Sequence, residues 1–153
     1  MPGMIPIIRI GPNLLVSIQI ELTDLLVREL KDDVAAVIER TAAGGLVIEV
    51  SGVDILDSYL ARSIRDLSLI ARLMGVRTVL AGLNPAMAMT LVEMGMLMQG
   101  VTTATNLDAA LALLAAAAVA AGEDDQARLA AGRAEDDEAL LAAEVWEEVG
   151  DES

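Results

Sequence analysis

The sequence predicts an α/β domain, with helices flanking a mixed and largely parallel β-sheet. Three observations carry that prediction. Short runs of branched apolar residues alternate with longer segments whose apolar residues recur every three or four positions, the order expected of strands joined by crossover helices. Glycine or proline stands between the runs, at Gly11-Pro12, Gly44-Gly45, Gly75 and Gly95. Hydrophobic residues make up 55% of the chain and aromatics only 1%, so the core must be built from Leu, Ile, Val, Met and Ala.

The elements follow in order. "IPIIRI" and "LLVSIQI" read as two strands of a hairpin, because Gly11, Pro12 and Asn13 punctuate a turn between them. Leu26, Leu30, Val34, Val37 and Ile38 then recur at helical spacing, with Asp24 placed to cap the helix and Gly44-Gly45 to stop it. "GLVIEV" reads as a buried strand between Gly45 and Gly52. A second helix carries Leu60, Ile64, Leu67, Ala71 and Met74 on one stripe, while Arg62, Arg65, Asp66 and Arg72 lie away from it. "VRTVLAG" is the next strand. "NPAMAMTLVEMG" brings its own punctuation, with Asn84 at the cap, Pro85 at the first helical position and Gly95 at the end. "VTTAT" is a last short strand, and Asn106 caps a closing helix that runs from Leu107 into alanine.

These elements fill residues 1–119, one domain around one core. Residues 120–153 differ in composition. From Ala121 onward twelve acids face only Arg128 and Arg133, a net charge of −10, whereas the preceding residues carry a net of −4. Such a tail buries little apolar surface and is expected to be mostly disordered. Leu141, Val145 and Val149 nevertheless share one helical face beside Trp146, which suits a short helix formed on a partner.

Composition excludes several functions. A net charge of −14, with no basic stripe interleaved with aromatics, opposes nucleic-acid binding, where Lys and Arg must displace counterions. The chain has neither cysteine nor histidine, which removes disulfides, thiolate or imidazole metal sites, and any triad with an imidazole base. It has no Walker or G-x-G-x-x-G loop, so no nucleotide cofactor is implied. "MPGMIPIIRIGPN" lacks the features of a secretory signal, and the longest uncharged apolar run, Ala109 to Ala121, falls short of the ~20 residues that cross a bilayer. A cytoplasmic protein without membrane contact is expected.

The stretch "VDILDSYLAR" is where an apolar run meets a helix at Asp57-Ser58. Serine there admits three roles. As a cap it would accept an orphan backbone N–H, a contribution of about 1 kcal/mol. As a nucleophile it would need a base, and without histidine the choice falls to Lys31 or a carboxylate, with nothing in the pattern to favour either. As a phosphoacceptor it would place an anion at a helix N-terminus, where free N–H groups and the helix dipole tolerate it. The added ~1.5 to 2 negative charges would repel a partner docked on the neutral side chains without unfolding the domain.

Three segments together resemble a known family: "IPIIRIGPNLLVSIQIEL", "LVIEVSGVDILDSYLAR" and "IARLMGVRTVLAGLNPAMAMTLVEMG". They are similar to the STAS domains of anti-sigma factor antagonists, with the SpoIIAA-like fold, and most closely to small stressosome antagonists of the RsbS type. The likeness spans roughly residues 4 to 115. Its most specific elements are D-S at a helix start after "VDIL", "LMG", and G-x-x-P-A-x-A before the following helix.

The resemblance implies a protein with no enzymatic activity and no cofactor that assembles with itself and with paralogous antagonists into a large cytoplasmic signalling particle. The particle captures a serine/threonine kinase of the histidine-kinase-like ATPase superfamily; phosphorylation releases the kinase to a downstream partner, and a phosphatase resets the switch. The family's phosphoacceptor carries over to Ser58. Larger paralogues are phosphorylated at a second threonine near a later helix, which makes Thr90 a second candidate beside its plain structural reading. Asp57 is expected to fix the turn, Tyr59 to dock or pack, and Arg62 to pair with Asp57 or with the added phosphate. Gly82, Asn84 and Pro85 are expected to shape a nearby loop. Two other functions stand beside this one: a stand-alone antagonist that binds an anti-sigma kinase directly, and a small enzyme or nucleotide-binding domain.

Overall fold

The computed structural model of the chain describes residues 5–95 and 101–151, with side chains described as far as residue 135. Strand β1 (Ile7–Ile10) turns at Gly11, whose φ of +58° suits a residue without Cβ, and returns antiparallel as β2 (Asn13–Ser17). The second run was expected to reach Ile20. Its sheet pairing ends sooner, and Ile20 is exposed where the chain leaves for the first helix.

Strands β3 (Gly45–Glu49), β4 (Arg77–Ala81) and β5 (Thr102–Ala104) then add in parallel, giving the order β1-β2-β3-β4-β5. Each parallel strand is laid on the same side of the last, so right-handed crossovers bring their helices to one face. These are α1 (Asp24–Thr41), α2 (Ser58–Leu73) and α3 (Pro85–Glu93). Alternation along the strands serves both faces. Leu46, Ile48 and Leu80 pack with α1, α2 and α3, while Val47, Val79 and Ala81 pack with Ala110 and Leu114 at the start of α4 (Leu107–Asp151). Burying a fully enclosed side chain such as Val34 or Ile64 contributes about 1.5–3 kcal/mol.

Several helix ends differ from expectation. The cap of α1 is Thr23, whose Oγ1 accepts the Leu26 N–H at 3.2 Å, and Asp24 is the first helical residue instead. The helix stops at Ala42, which takes a left-handed φ of 52° so that its N–H reaches the Ile38 carbonyl at 3.1 Å. Gly44 has another task, donating its N–H to the Pro12 carbonyl of the hairpin turn at 2.9 Å. The buried stripe of α1 uses Val27 rather than Leu26, which is half-buried. On α2 the stripe of Leu60, Ile64, Leu67 and Ala71 is buried as its spacing requires, but Met74 follows the last helical turn and is exposed. Helices α1 and α2 are joined across their flanks by Lys31 Nζ and Asp66 Oδ2 at 3.0 Å.

The later caps match the sequence reading. Asn84 Oδ1 accepts the Met87 N–H at 2.8 Å with Pro85 at the first position, and Asn106 Oδ1 accepts the Ala109 N–H at 2.8 Å. The chain divides into two compact units, Met1–Ala115 and Ala116–Ser153. Helix α4 runs over 45 residues, Leu107–Asp151. Alanine has the highest helix propensity, and the runs of it outweigh the helix-weakening Gly122 and Gly132. The face formed by Leu141, Val145 and Val149 beside Trp146 lies outside the residues whose side chains are described.

Candidate functional site

Residues 50–57 connect β3 to α2 and present the D-S dipeptide. Val50 continues the sheet by donating to the Ala81 carbonyl at 3.0 Å, and the Val53 N–H then closes a turn on the Val50 carbonyl at 3.0 Å. Glu49 Oε1 accepts the Ser51 N–H at 2.8 Å, and buried Leu56 anchors the far end of the loop in the core. Gly82 lets β4 pass close beneath. Its φ is +86°, and a Cβ there would stand 2.8 Å from Glu49 Oε1 and 2.9 Å from Ser51.

The cap of α2 is Asp57. Its Oδ1 accepts the Leu60 N–H at 2.7 Å with extended backbone geometry, as a capping residue requires. Ser58 is therefore the first helical residue and not the cap. It is exposed, and among the described residues its hydroxyl makes no hydrogen bond that the fold depends on. The backbone N–H groups of this first turn carry the positive end of the helix dipole.

Tyr59 follows, half-buried, with its hydroxyl donating to Asp24 Oδ1 at 2.7 Å. That hydrogen bond to a carboxylate, with a small contribution from burial and from the negative charges of Asp24 and Asp57, raises the phenol above its ordinary value of 10.0. Arg62 is exposed and makes no ion pair with Asp57 among the described residues, contrary to one expectation. Five positions along a helix carry a side chain well around the axis, and the Asp57 carboxylate is already engaged by a backbone N–H. Ser58 and Arg62 are four apart and share a face.

Beside these residues lies an open cavity of about 390 Å³, walled by Ile20, Val53 and Ile55 and edged by Asp54, Asp57 and Tyr59. Ile55 is 77% exposed, an unusual place for a large apolar side chain and a natural anchor for a partner. In "VDIL" nothing separates Ile55 from its buried neighbour Leu56, which also stands between Asp54 and the helix cap.

Thr90 lies on a separate helix, α3, half-buried, with Oγ1 donating to the Ala86 carbonyl at 2.9 Å. Lys31 is held by Asp66 and faces α2, so it does not serve Ser58 as a base. Among the described residues no group of acidic side chains is arranged to hold a metal ion, and no helix is long and apolar enough to cross a membrane. The arrangement offers an unencumbered hydroxyl at a helix N-terminus, next to a cavity whose lining mixes apolar and acidic side chains.

Comparison with known proteins agrees with this geometry. The STAS domain family model matches residues 5–110. The curated Bacillus subtilis (strain 168) protein RsbRB, described as an RsbT co-antagonist, is 39% identical over 66 residues, 43% of this chain, and the chain spans only 24% of that relative's length. Among solved structures, Moorella thermoacetica RsbS S58E is 35% identical with a TM-score of 0.66, covering 74% of this chain and 97% of that one. A chain from a structure of the molecular architecture of the stressosome is 36% identical with a TM-score of 0.67, covering 74% and 98%. Unphosphorylated SpoIIAA, at 12% identity and a TM-score of 0.53, shares the fold alone. The chain belongs to the STAS domain family, and over most of its length it is similar to the RsbS-type proteins of the stressosome.

Proposed function

We propose that this protein is a non-enzymatic antagonist that holds a serine/threonine switch kinase of the RsbT type in a stressosome-like assembly and releases it when Ser58 is phosphorylated. One observation carries the reading: Asp57 caps α2, which leaves the exposed Ser58 hydroxyl without a structural duty. A group attached there costs the fold little. It changes the charge of the surface beside the cavity of Ile20, Val53 and Ile55.

Physically, the unmodified surface offers apolar anchors and a neutral hydroxyl to the kinase. Phosphate adds ~1.5 to 2 negative charges, and its oxygens can accept from the N-terminal N–H groups of α2 and from Arg62 on the same face, within the domain. The docked kinase surface would lose its match to a neutral hydroxyl and bury an added charge. RsbS S58E, a relative carrying an acid at a serine of the same number, supports placing the switch here. Relatives described as RsbT co-antagonists support action together with paralogous STAS proteins; capture in the cytoplasm and a phosphatase that resets the serine belong to the same proposal. Asp57, Tyr59 and Arg62 frame the docking surface, and Thr90 remains a second acceptor to be tested.

Incubation with an RsbT-type kinase and ATP, followed by phosphopeptide mapping, tests the assignment. Phosphate on Ser58 supports it; phosphate confined to other residues contradicts it.

A further inference from the structure

Between β3 and α2 the chain crosses residues 50–57 with little to hold it. Among the described residues only two backbone N–H groups from Ser51 to Asp57 find a partner: Val53 closes its turn on the Val50 carbonyl at 3.0 Å, and Ser51 donates to Glu49 Oε1 at 2.8 Å. Leu56, 3% exposed, fixes the far end in the core, and Ile55 just before it is 77% exposed. A loop that sends one side chain inward and its neighbour into solvent presents that neighbour in one place only if its near end is fixed too. Otherwise the exposed side chain samples many positions, and ordering it on a partner costs binding free energy.

A row of side chains across the sheet fixes the near end. Ser17, Glu49 and Ala81 stand in register at the ends of β2, β3 and β4. Glu49 is half-buried and makes no ion pair among the described residues, yet both of its oxygens are used. Oε1 takes the Ser51 N–H, and Oε2 takes the Ser17 hydroxyl at 3.2 Å, whose oxygen in turn accepts from Gln19 Nε2 at 3.1 Å. Two glycines leave room for this arrangement: a Cβ at Gly82 would stand 2.8 Å from Glu49 Oε1, and one at Gly52 would stand 2.9 Å from Gln19 Cγ. The carboxylate is thus steadied by β2 and carries the first residue of the loop with it. Neither Glu49 nor Ser17 lines the cavity beside Ser58, whereas Gly52, Val53 and Ile55 do.

We propose that Glu49 is a positioning residue for recognition by the kinase. It acts from behind the docking surface, setting the path of residues 51–55 so that Ile55 is presented at the cavity edge. The assignment rests on kinase docking beside Ser58, and it adds to that surface a specificity-determining hydrogen bond made outside it.

Steady-state phosphorylation of the full-length protein by an RsbT-type kinase and ATP, with the protein concentration varied, tests it. If the native chain takes no phosphate on Ser58, the Ser58 reading fails and this assignment falls with it; the variants speak to Glu49 alone. In Glu49→Ala the KM for the protein should rise at least about fivefold while kcat changes less than about twofold, because the hydroxyl stays reachable and only the loop beside it loses its placement. Glu49→Gln, whose amide oxygen can still accept the Ser51 N–H, should recover most of the native KM. Ile55→Ala should raise KM by itself, and adding Glu49→Ala to it should raise KM less than about twofold further, since both changes act through one side chain. A general loss of stability would not produce that non-additivity, and an unchanged tyrosinate midpoint for Tyr59 in Glu49→Ala would show the contact between α1 and α2 to be intact. Should Glu49→Ala fail to fold, Ser17→Ala, which removes only the partner of Oε2, should give the same split at smaller amplitude. A native KM in Glu49→Ala, a fall in kcat without a change in KM, no recovery in Glu49→Gln, or full additivity with Ile55→Ala would overturn the assignment.

Discussion

The Tyr59 hydroxyl donates to the Asp24 carboxylate at 2.7 Å and ties the first turn of α2 to the first turn of α1. This bond fixes the ring beside the candidate phosphoacceptor, forming one side of the cavity edged by Asp54 and Asp57. It also has a direct spectroscopic signature. Tyr59 is the only tyrosine, so the ultraviolet absorbance of tyrosinate reports on it alone. The titration midpoint should lie above 10.0 in the folded protein and fall toward that value in Asp24→Asn. A phenol whose folded pKa is raised contributes stability that is fully present below pH 10.0 and is lost as pH rises through the folded value. A midpoint in Asp24→Asn equal to that of the native chain would contradict the assigned cause.

Asp57→Ala should lower unfolding stability by about 1 kcal/mol, because the Leu60 N–H loses its acceptor. Asp57→Asn keeps an oxygen in the same place and should recover most of that loss in chemical denaturation. Ser58→Ala, by contrast, should change stability by less than about 0.5 kcal/mol, as expected of an exposed residue outside the cap. Equal losses at both positions would mean that the capping duty is shared.

Strand and helix order was readable in the sequence because the apolar periods change from two to three or four at each glycine or proline, and because parallel addition leaves few topologies. The cap Asn84 was readable because Pro85 marks the first helical position after it, and Asn106, although Thr105 precedes it, because it stands immediately before the apolar Leu107. At the start of α1, Thr23 and Asp24 are adjacent, and at α2 Asp57 and Ser58 are. Local chemistry admits either member of each pair; tertiary contacts decide, and Asp24 is drawn away by Tyr59 from the other helix. The stop at Ala42 was hidden because glycine is the usual left-handed residue and two stood close by. Ile55 was unreadable as a surface residue, since only the turn of the 50–57 loop reveals that it faces outward while Leu56 faces in.

Ala42→Gly should stabilise the protein by about 1 kcal/mol. Alanine at a φ of 52° pays for a Cβ close to a carbonyl, and the residue is exposed, so its methyl group contributes little packing. The denaturation midpoint should rise with an unchanged denaturant slope. A lower midpoint would show that glycine's greater freedom in the unfolded chain outweighs the relief.

Thr78 sits on β4, 6% exposed, and its Oγ1 has no hydrogen-bond partner among the described residues. Thr78→Val keeps the branched shape while removing an unsatisfied hydroxyl whose burial costs about 1–3 kcal/mol. The substitution should therefore raise thermal stability. A loss of stability would reveal a partner for the hydroxyl, most simply a bound water.

The central claim concerns Ser58, and the affinity of an RsbT-type kinase for four forms of the protein tests it most directly. Native protein and Ser58→Ala should bind alike, whereas Ser58→Asp and protein phosphorylated on Ser58 should bind at least about tenfold more weakly, with the phosphorylated form weakest. Equal binding of the kinase to phosphorylated and unphosphorylated protein across a range of salt would contradict the account.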